Sequence, residues 1–259
     1  MNNLFLDIWK IIFNFLDFKS KIRLISTCRY SRQNLYITDL YNINKKYLYK
    51  LNTPILQYYI FRNVIWLNAS FNNNITNISF MKNLKKLNLH GYNNINQDGI
   101  MGLDLIELYV DNHDKIKDVS FMKNLKILHA SGNCGIDQNG IIGLDLIELD
   151  ISYNYKIKDI SFMKKLKKLN IRGKCEIYQD NIKNLDLIEL DISYNDKIKN
   201  VSFMKNLKKL NAQGECILDH IGIKGLDLLE LNIAHNDKLK DKIKDIVVVV
   251  NSIHSLFLI

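Results

Sequence analysis

The stretch ISFMKNLKKL, residues 78–87, occurs in near-identical form three more times along the chain. It returns as VSFMKNLKIL at 119–128, as ISFMKKLKKL at 160–169 and as VSFMKNLKKL at 201–210, always 41 residues later. Between the copies lie GLDLIEL at 102–108 and 143–149, NLDLIEL at 184–190 and GLDLLEL at 225–231. Internal similarity at a fixed period indicates an array of stacked structural repeats.

Each 41-residue repeat contains two shorter units with the pattern L-x-x-L-x-L, in which Val, Ile or Ala also fill apolar positions. Alternating apolar positions predict a short strand whose apolar side chains face a core. The units follow one another at 20 or 21 residues and begin at Val64, Leu84, Leu105, Leu125, Leu146, Leu166, Leu187, Leu207 and Leu228.

An asparagine stands three residues after the last apolar position of five units, at Asn72, Asn133, Asn154, Asn195 and Asn236. Its side-chain amide can bond neighbouring backbone groups, which a buried turn requires. We therefore expect these asparagines to close the turns after the strands. We also expect apolar positions such as Ile157, Ile160 and Phe162 to close the core on the opposite side.

The combined pattern resembles the leucine-rich-repeat family in its short class. The resemblance implies an α/β fold, a solenoid with a parallel, concave sheet of nine or ten short strands built from repeats of 20–21 residues. Stacking of neighbouring repeats would supply its stability. Caps are expected at both ends: a short helix with Thr53 as N-cap and Pro54 as first residue, and a helical piece at 246–251 followed by a tenth strand at 253–258.

Apolar residues recur every four positions at the N-terminus, at Leu4, Ile8, Ile12 and Leu16, which predicts an amphipathic helix. Ser20 is a candidate cap for a second helix carrying Ile22, Ile25 and Cys28.

This stretch, LFLDIWKIIFNFLDFKSKIRLISTCRYSRQNL at residues 4–35, resembles the F-box, with Phe5 where that family has Pro and Ser31 where Trp is common. The resemblance implies that an apolar face docks on the Skp adaptor of a cullin ubiquitin ligase. Carried over by position, the adaptor contacts are Leu4, Ile8, Ile12, Leu16 and Leu24.

The pairing of both motifs resembles the F-box/leucine-rich-repeat proteins, and the composition resembles those that giant DNA viruses of amoebae carry. The expected organisation is an F-box-like helical domain at 1–40, a helical connector and cap at 41–63, and the solenoid with its C-terminal cap at 64–259. The resemblance implies an unknown protein substrate, a monomer outside the ligase complex, and a location in the host cytoplasm or nucleus.

The net charge of +9 is concentrated at the N-terminus, where residues 1–63 carry ten Lys and Arg against three Asp. A basic segment can meet nucleic acid, anionic lipid or an acidic protein. The basic residues are scattered and no nucleic-acid motif accompanies them, so we expect no nucleic-acid partner. The N-terminal apolar stretch is interrupted by polar residues and has neither a basic segment before it nor a small-residue cleavage site, so it is not a signal peptide. It is also too short and too polar to span a bilayer, and the expected compartment is reducing.

Three cysteines, Cys134, Cys175 and Cys216, share one repeat position. Two strand spacings, roughly 10 Å, would separate them, whereas a disulfide needs Cα atoms within about 7 Å. We expect buried apolar thiols. The sequence shows no nucleophile–base pair, no phosphate loop and no Cys/His metal spacing, so we expect no enzyme, no cofactor and no metal.

The outward positions of the strands form a row that becomes periodic in charge: Trp66, Lys86, Glu107, Ile127, Glu148, Lys168, Glu189, Lys209 and Glu230. Alternating signs on adjacent strands suit cross-strand pairing. Aromatic, Arg and His residues that break the repeat are typical of interfaces. The predicted partner-binding residues on the concave face are Trp66, His90, Tyr109, Asp111, Ile127, His129 and Arg172.

Three functions remain open. The first is a substrate receptor of a cullin ubiquitin ligase, and the second is a binding scaffold whose N-terminal helices only cap the solenoid. The third is peripheral attachment to a membrane through the basic, amphipathic N-terminus, although we expect no membrane partner.

Overall fold

Short parallel strands occur at all nine predicted units in a computed structural model, which describes residue 9 and residues 11–27, 31, 35–41 and 44–240. The chain divides into two units, residues 1–105 and 106–259, called here unit 1 and unit 2. Leu4, Phe5, Ile8 and Cys28 lie outside the described residues, as do the predicted C-terminal helix and strand.

In the described part of unit 1, three strands pair in parallel and in chain order: β1 (Asp39–Leu40), β2 (Trp66–Asn68) and β3 (Lys86–Asn88). The sequence pattern did not predict β1. Ile37 and Leu40 occupy the first two apolar positions of its unit and are buried, but Asn42 stands at the third. The next unit begins only at Val64, so the 20- or 21-residue step fails as well.

Between residues 106 and 240, which are the described residues of unit 2, seven strands form one parallel sheet, again in chain order. Their leucines are at most 3% exposed, so the alternating pattern faces a core as predicted. The strands are β4 (Glu107–Tyr109), β5 (Ile127–His129), β6 (Glu148–Asp150), β7 (Lys168–Asn170), β8 (Glu189–Asp191), β9 (Lys209–Asn211) and β10 (Glu230–Asn232).

Helices are short wherever the repeats are described, as expected. In unit 1 they are α1 (Phe18–Thr27), α2 (Lys45–Leu48), α3 (Thr53–Leu56) and the 3₁₀ turns Tyr59–Phe61 and Asp98–Ile100. In unit 2 they are the 3₁₀ turns Asn139–Ile141 and Ile221–Ile223, with α4 (Gln179–Ile182) and α5 (Asp237–Lys240). Within the described residues no helix has the length and apolarity needed to cross a bilayer.

Two helix caps differ from the prediction. The N-cap of α3 is Asn52, whose Oδ1 accepts the Ile55 N–H at 2.8 Å, while the Thr53 hydroxyl accepts the backbone N–H of Thr76 instead. The carboxylate of Asp17 accepts the Ser20 N–H at 2.8 Å and so begins α1 three residues before the predicted cap. At both helices two nearby polar residues were candidates for the N-cap.

The core on the side opposite the strands matches the prediction at two of three positions and differs by one residue at the third. Ile157 and Ile160 are buried, but Phe162 is 38% exposed and Met163 takes the inward position. The Met163 N–H donates to the Ile160 carbonyl at 3.0 Å, which closes a tight turn. Such a turn brings residues three apart to the same side.

The strands end in two kinds of turn that alternate along the chain. In the first kind, the aromatic turn, a non-glycine residue adopts a φ of 55–58°, and in unit 2 this residue is Asn112, Tyr153, Tyr194 or His235. In the second kind, the glycine turn, Gly132, Gly173 or Gly214 has a φ of 64–75°. A Cβ on Gly173 would overlap the ring of Tyr153, and one on Gly214 that of Tyr194. The large residue of one turn therefore requires the glycine of the next.

The two kinds of turn also differ in length. The buried polar residue of an aromatic turn, such as Asn154 or Asn195, stands three residues after the last apolar strand position. In a glycine turn the buried residue stands four residues after the last apolar strand position, so Cys134 is buried and Asn133 is exposed. The prediction of a turn-closing role for Asn133 was therefore wrong, because the extra residue of the glycine turn moves the inward position.

The buried asparagines link neighbouring turns as predicted. Nδ2 of Asn154 donates to the Ala130 carbonyl at 2.8 Å, and Nδ2 of Asn195 to the Ile171 carbonyl at 3.0 Å. Asn236 repeats the contact with Ala212 at 2.9 Å. Each amide satisfies a buried carbonyl that the sheet leaves unpaired.

Candidate protein-binding surfaces

The helical residues at the N-terminus expose apolar side chains. Ile11 is 57% exposed, Ile12 45% and Phe15 87%, whereas Phe13 and Ile25 are buried. We call Ile11, Ile12, Phe15 and the half-buried Leu16 the N-terminal apolar surface. Of the predicted adaptor contacts inside the described residues, Ile12 is exposed, and Leu16 and Leu24 are half-buried. The inward role of Phe13 was not predicted.

Helix α1, which follows this surface in the chain, is positively charged. It carries Lys19, Lys21 and Arg23 and has no acidic residue in its first turn. The Lys21 Nζ lies 5.5 Å from the centre of the Phe13 ring. The backbone N–H of Ser20 holds the pKa of the Asp17 carboxyl below its usual range, so the cap remains charged at neutral pH.

Two of the predicted partner-binding residues belong to unit 1. Trp66 lies in β2 and is 45% exposed, and its register partner is Lys86 in β3. His90 follows β3, and the centre of its ring lies 5.4 Å from that of Phe71 in an edge-on arrangement. Both residues are on the outward side of the strands or at their ends, as predicted.

Three predicted residues of unit 2 form one cluster on β4 and β5. The ring centres of Tyr109 and His129 are 4.7 Å apart, and Ile127 lies in the same strand as His129. The Tyr109 hydroxyl donates to Glu107 Oε2 at 3.1 Å, and His129 Nε2 lies 3.0 Å from Glu148 Oε1. The two glutamates were missed as site residues because they belong to the periodic row of charges.

The remaining two predicted residues of unit 2, Asp111 and Arg172, lie outside this cluster. The carboxylate of Asp111 accepts the N–H and the hydroxyl of Ser131 at 3.0 and 2.6 Å, so it ties two turns together. Arg172 follows β7, two strands beyond β5, and its guanidinium lies over the ring of Tyr194 at 5.2 Å. The structure thus separates the predicted patch of unit 2 into distinct parts.

The periodic charges of unit 2 pair across the strands. The predicted register is confirmed, and salt bridges join Lys168 to Glu189 at 3.4 Å and Lys209 to Glu230 at 2.9 Å. The bond to Glu230 raises the pKa of Lys209. These side chains line a groove of about 520 Å³ along β5 to β10, with Asp150, Asn170, Asp191, Asn211 and Asn232 on its other side.

The cysteines have the buried, unpaired character expected of them. Cys134, Cys175 and Cys216 are free thiols and at most 1% exposed. Burial raises the pKa of the Cys134 thiol to about 12 and raises those of the other two, so all three stay protonated at neutral pH. Among the described residues no group of three His, Cys, Asp or Glu is arranged to hold a metal ion.

Comparison with known proteins gives similarity only among solved structures; no family model and no curated protein matches. Internalin C2 of Listeria monocytogenes is similar at 22% identity over 58% of this chain and 70% of that chain, with a TM-score of 0.38. A leucine-rich-repeat protein of Leptospira interrogans is similar at 19% identity, with a TM-score of 0.45. That match covers 87% of this chain but 62% of the Leptospira chain, which is less than two thirds of its length.

The geometry of the repeats, rather than these low TM-scores, defines the structural class. Strands at a step of 20 or 21 residues, stacked leucines and buried asparagines make the repeats a leucine-rich-repeat solenoid.

Proposed function

We propose that this chain is a protein-binding receptor that joins a target protein to a ubiquitin ligase. Its N-terminal helices dock on the Skp adaptor of a cullin ligase, and its repeats bind the target. The observation that carries the proposal is the N-terminal apolar surface, where Ile11, Ile12 and Phe15 remain exposed while Phe13 and Ile25 fill the core. This surface lies inside the stretch that resembles the F-box.

Burial of this surface against a partner would stabilise the complex. Full burial of an exposed Ile or Phe side chain contributes roughly 1.5–3 kcal/mol. Three such side chains supply a large part of the approximately 8 kcal/mol that a micromolar complex requires. A cap that only closed the solenoid would turn these side chains inward, as it does Phe13 and Ile25.

The repeats supply the target-binding side of the proposal. Tyr109, His129, Trp66 and Arg172 are residue types that anchor interfaces, and the paired charges around them are less able to distinguish partners. We propose no catalysis, cofactor or nucleic-acid binding for this chain. It would act as a monomer outside the ligase, in the host cytoplasm or nucleus.

The test is binding of a purified Skp adaptor to the full chain, measured by co-elution. The wild type should bind, and Ile12→Asp/Phe15→Asp should not, because an unpaired charge in an apolar interface costs several kcal/mol. Ile147→Asp is the matched control, since Ile147 is an equally exposed isoleucine, 44%, in the repeats. It should bind the adaptor like the wild type.

Two results would overturn the ligase role. One is a wild type that does not bind the adaptor while remaining folded, and the other is equal loss of binding in the control variant. Flotation with anionic liposomes separates the third possibility. If the wild type floats and Ile12→Asp/Phe15→Asp does not, without adaptor binding in either, the N-terminal surface attaches to membranes.

A further inference from the structure

Arg172 has a charged group that the fold of unit 2 leaves without a hydrogen-bond partner. Its side chain is half-buried and extends over the ring of Tyr194, with the guanidinium carbon 5.2 Å from the ring centre. Its Nε is buried and has no acceptor among the described residues, and no described carboxylate forms a salt bridge with it. An unsatisfied buried donor is costly, so this arrangement calls for an explanation.

The carboxylates on the two flanking strands are already bonded to other groups. Asp150 at the end of β6 accepts the Ser152 hydroxyl at 2.7 Å and the Asn170 amide at 2.8 Å. Asp191 at the end of β8 accepts the Ser193 hydroxyl and the Asn211 amide in the same way. The acceptors nearest in the sheet are therefore used to fix the turns.

The fold does not require an arginine at this position. The equivalent residue of the other glycine turns is His90, Ser131 or Gln213. In the aromatic turns beside it the equivalent residues are Ser152 and Ser193, both buried. The glycine turn thus accepts different side chains at this position, whereas the two aromatic turns on either side of Arg172 both carry a buried serine. The aromatic turns at the two ends of unit 2 carry Asp111 and Ala234 there.

We propose that Arg172 and Tyr194 form a subsite for one carboxylate of the protein partner, carried by an Asp or Glu side chain. This inference rests on the proposed function, because it assumes that the repeats bind protein. A guanidinium offers paired donors that match the two oxygens of a carboxylate, and the ring supports its face. For Nε to reach the same ligand, the side chain of Arg172 has to rotate about its χ angles.

The neighbouring groove restricts the partner further. Its lining carries five carboxylates against two lysines, on Glu148, Asp150, Glu189, Asp191, Glu230, Lys168 and Lys209. A run of acidic residues would be repelled there. The subsite therefore fits a single acidic residue flanked by neutral or basic ones.

The experiment selects a displayed library of random 12-residue peptides on the full chain and then tests the selected peptides individually. Their acidic residue is replaced by Asn or Gln, and Arg172→Gln is the matched protein variant, because it reproduces the glutamine at the same position of the next repeat. Loss of the peptide's carboxylate should weaken binding to the wild type about tenfold or more and should not affect binding to Arg172→Gln.

Three results would overturn the proposal: no peptide selected by the repeats, selected peptides without an acidic residue, or equal weakening in the wild type and Arg172→Gln. Adaptor binding is measured on the same Arg172→Gln protein. It should remain at the wild-type level, so a failed subsite is distinguished from a failed ligase role.

Discussion

The aromatic turns and the glycine turns of unit 2 differ in what they leave free. In the aromatic turns at Tyr153 and Tyr194 the serine, the asparagine and the strand aspartate are bonded to each other or to the neighbouring turn, as at Ser193 and Asn195. In a glycine turn the corresponding side chain varies and, at Arg172, makes no hydrogen bond in the described structure. The aromatic turns link neighbouring repeats, whereas the glycine turns accept different outward residues at little cost in the free energy of folding.

The largest expected effect is that of Gly173→Val. The new side chain would overlap the Tyr153 ring and adopt a strained φ of about +75°, so we expect a loss of at least about 3 kcal/mol in the free energy of unfolding by urea. The double variant Gly173→Ala/Tyr153→Ala should be more stable than Gly173→Ala alone. If removing the ring gives no recovery, the size complementarity of the two turns is not what requires the glycine.

The next effect separates the two buried turn residues. Asn195→Ala should cost about 2 kcal/mol, because the N–H groups of residues 197 and 198 lose their acceptor and the Ile171 carbonyl keeps only the weak bond from the Cys175 thiol. Cys175→Ala removes a small, weakly bonded side chain and should cost about 1 kcal/mol. Both values come from urea unfolding of the full chain, and equal losses would contradict the assignment of the aromatic turn as the stronger link.

A smaller effect concerns a surface ion pair between Lys167 and Asp186, which lie just before strands β7 and β8. The bonds from Lys167 and Asn206 lower the pKa of Asp186, so its charged form stabilises the fold above the usual carboxyl pKa and this contribution is lost as pH falls below it. The carboxylate is largely exposed, so Asp186→Asn should cost less than about 1 kcal/mol at pH 7. The difference from the wild type should shrink as pH falls from the usual carboxyl pKa through the lowered pKa of Asp186, and a pH-independent difference would argue against a charge effect.

The smallest effect is expected at Arg172. Arg172→Gln removes an unsatisfied buried donor, which destabilises the fold, together with the stacking on Tyr194, which stabilises it, so the unfolding free energy should change by no more than about 0.5 kcal/mol. Ser193→Ala is the comparison in the other kind of turn, where a buried hydroxyl bonds Asp191, and should cost about 1 kcal/mol. A larger loss at Arg172 than at Ser193 would reverse the proposed division between the turns.

The sequence predicted the repeats well because one spacing governs both the strands and the core. The sequence pattern did not reveal β1, because the unit of this strand lacks the third apolar residue and the regular step. The pattern also placed the buried turn residue at Asn133, because an alignment on the leucines does not show that this turn is longer by one residue. Likewise, Phe162 and Met163 are both apolar, and only the turn geometry decides which faces inward.

The candidate site was predicted less completely, since its contacts join residues of different repeats. The stacking of Arg172 on Tyr194 spans 22 positions, and the bond from His129 to Glu148 spans 19. The sequence identified the unusual side chains but not their neighbours. Partners of this kind depend on strand register and on which side chains the turns have already used.

The central claim is that the N-terminal helices, rather than the repeats, bind the Skp adaptor. Hydrogen–deuterium exchange of the full chain with and without purified adaptor tests it most directly. We expect the adaptor to slow exchange in residues 11–27, where the N-terminal apolar surface lies, and to leave residues 106–240 unchanged. Protection confined to the repeats, or no protection anywhere, would contradict the account.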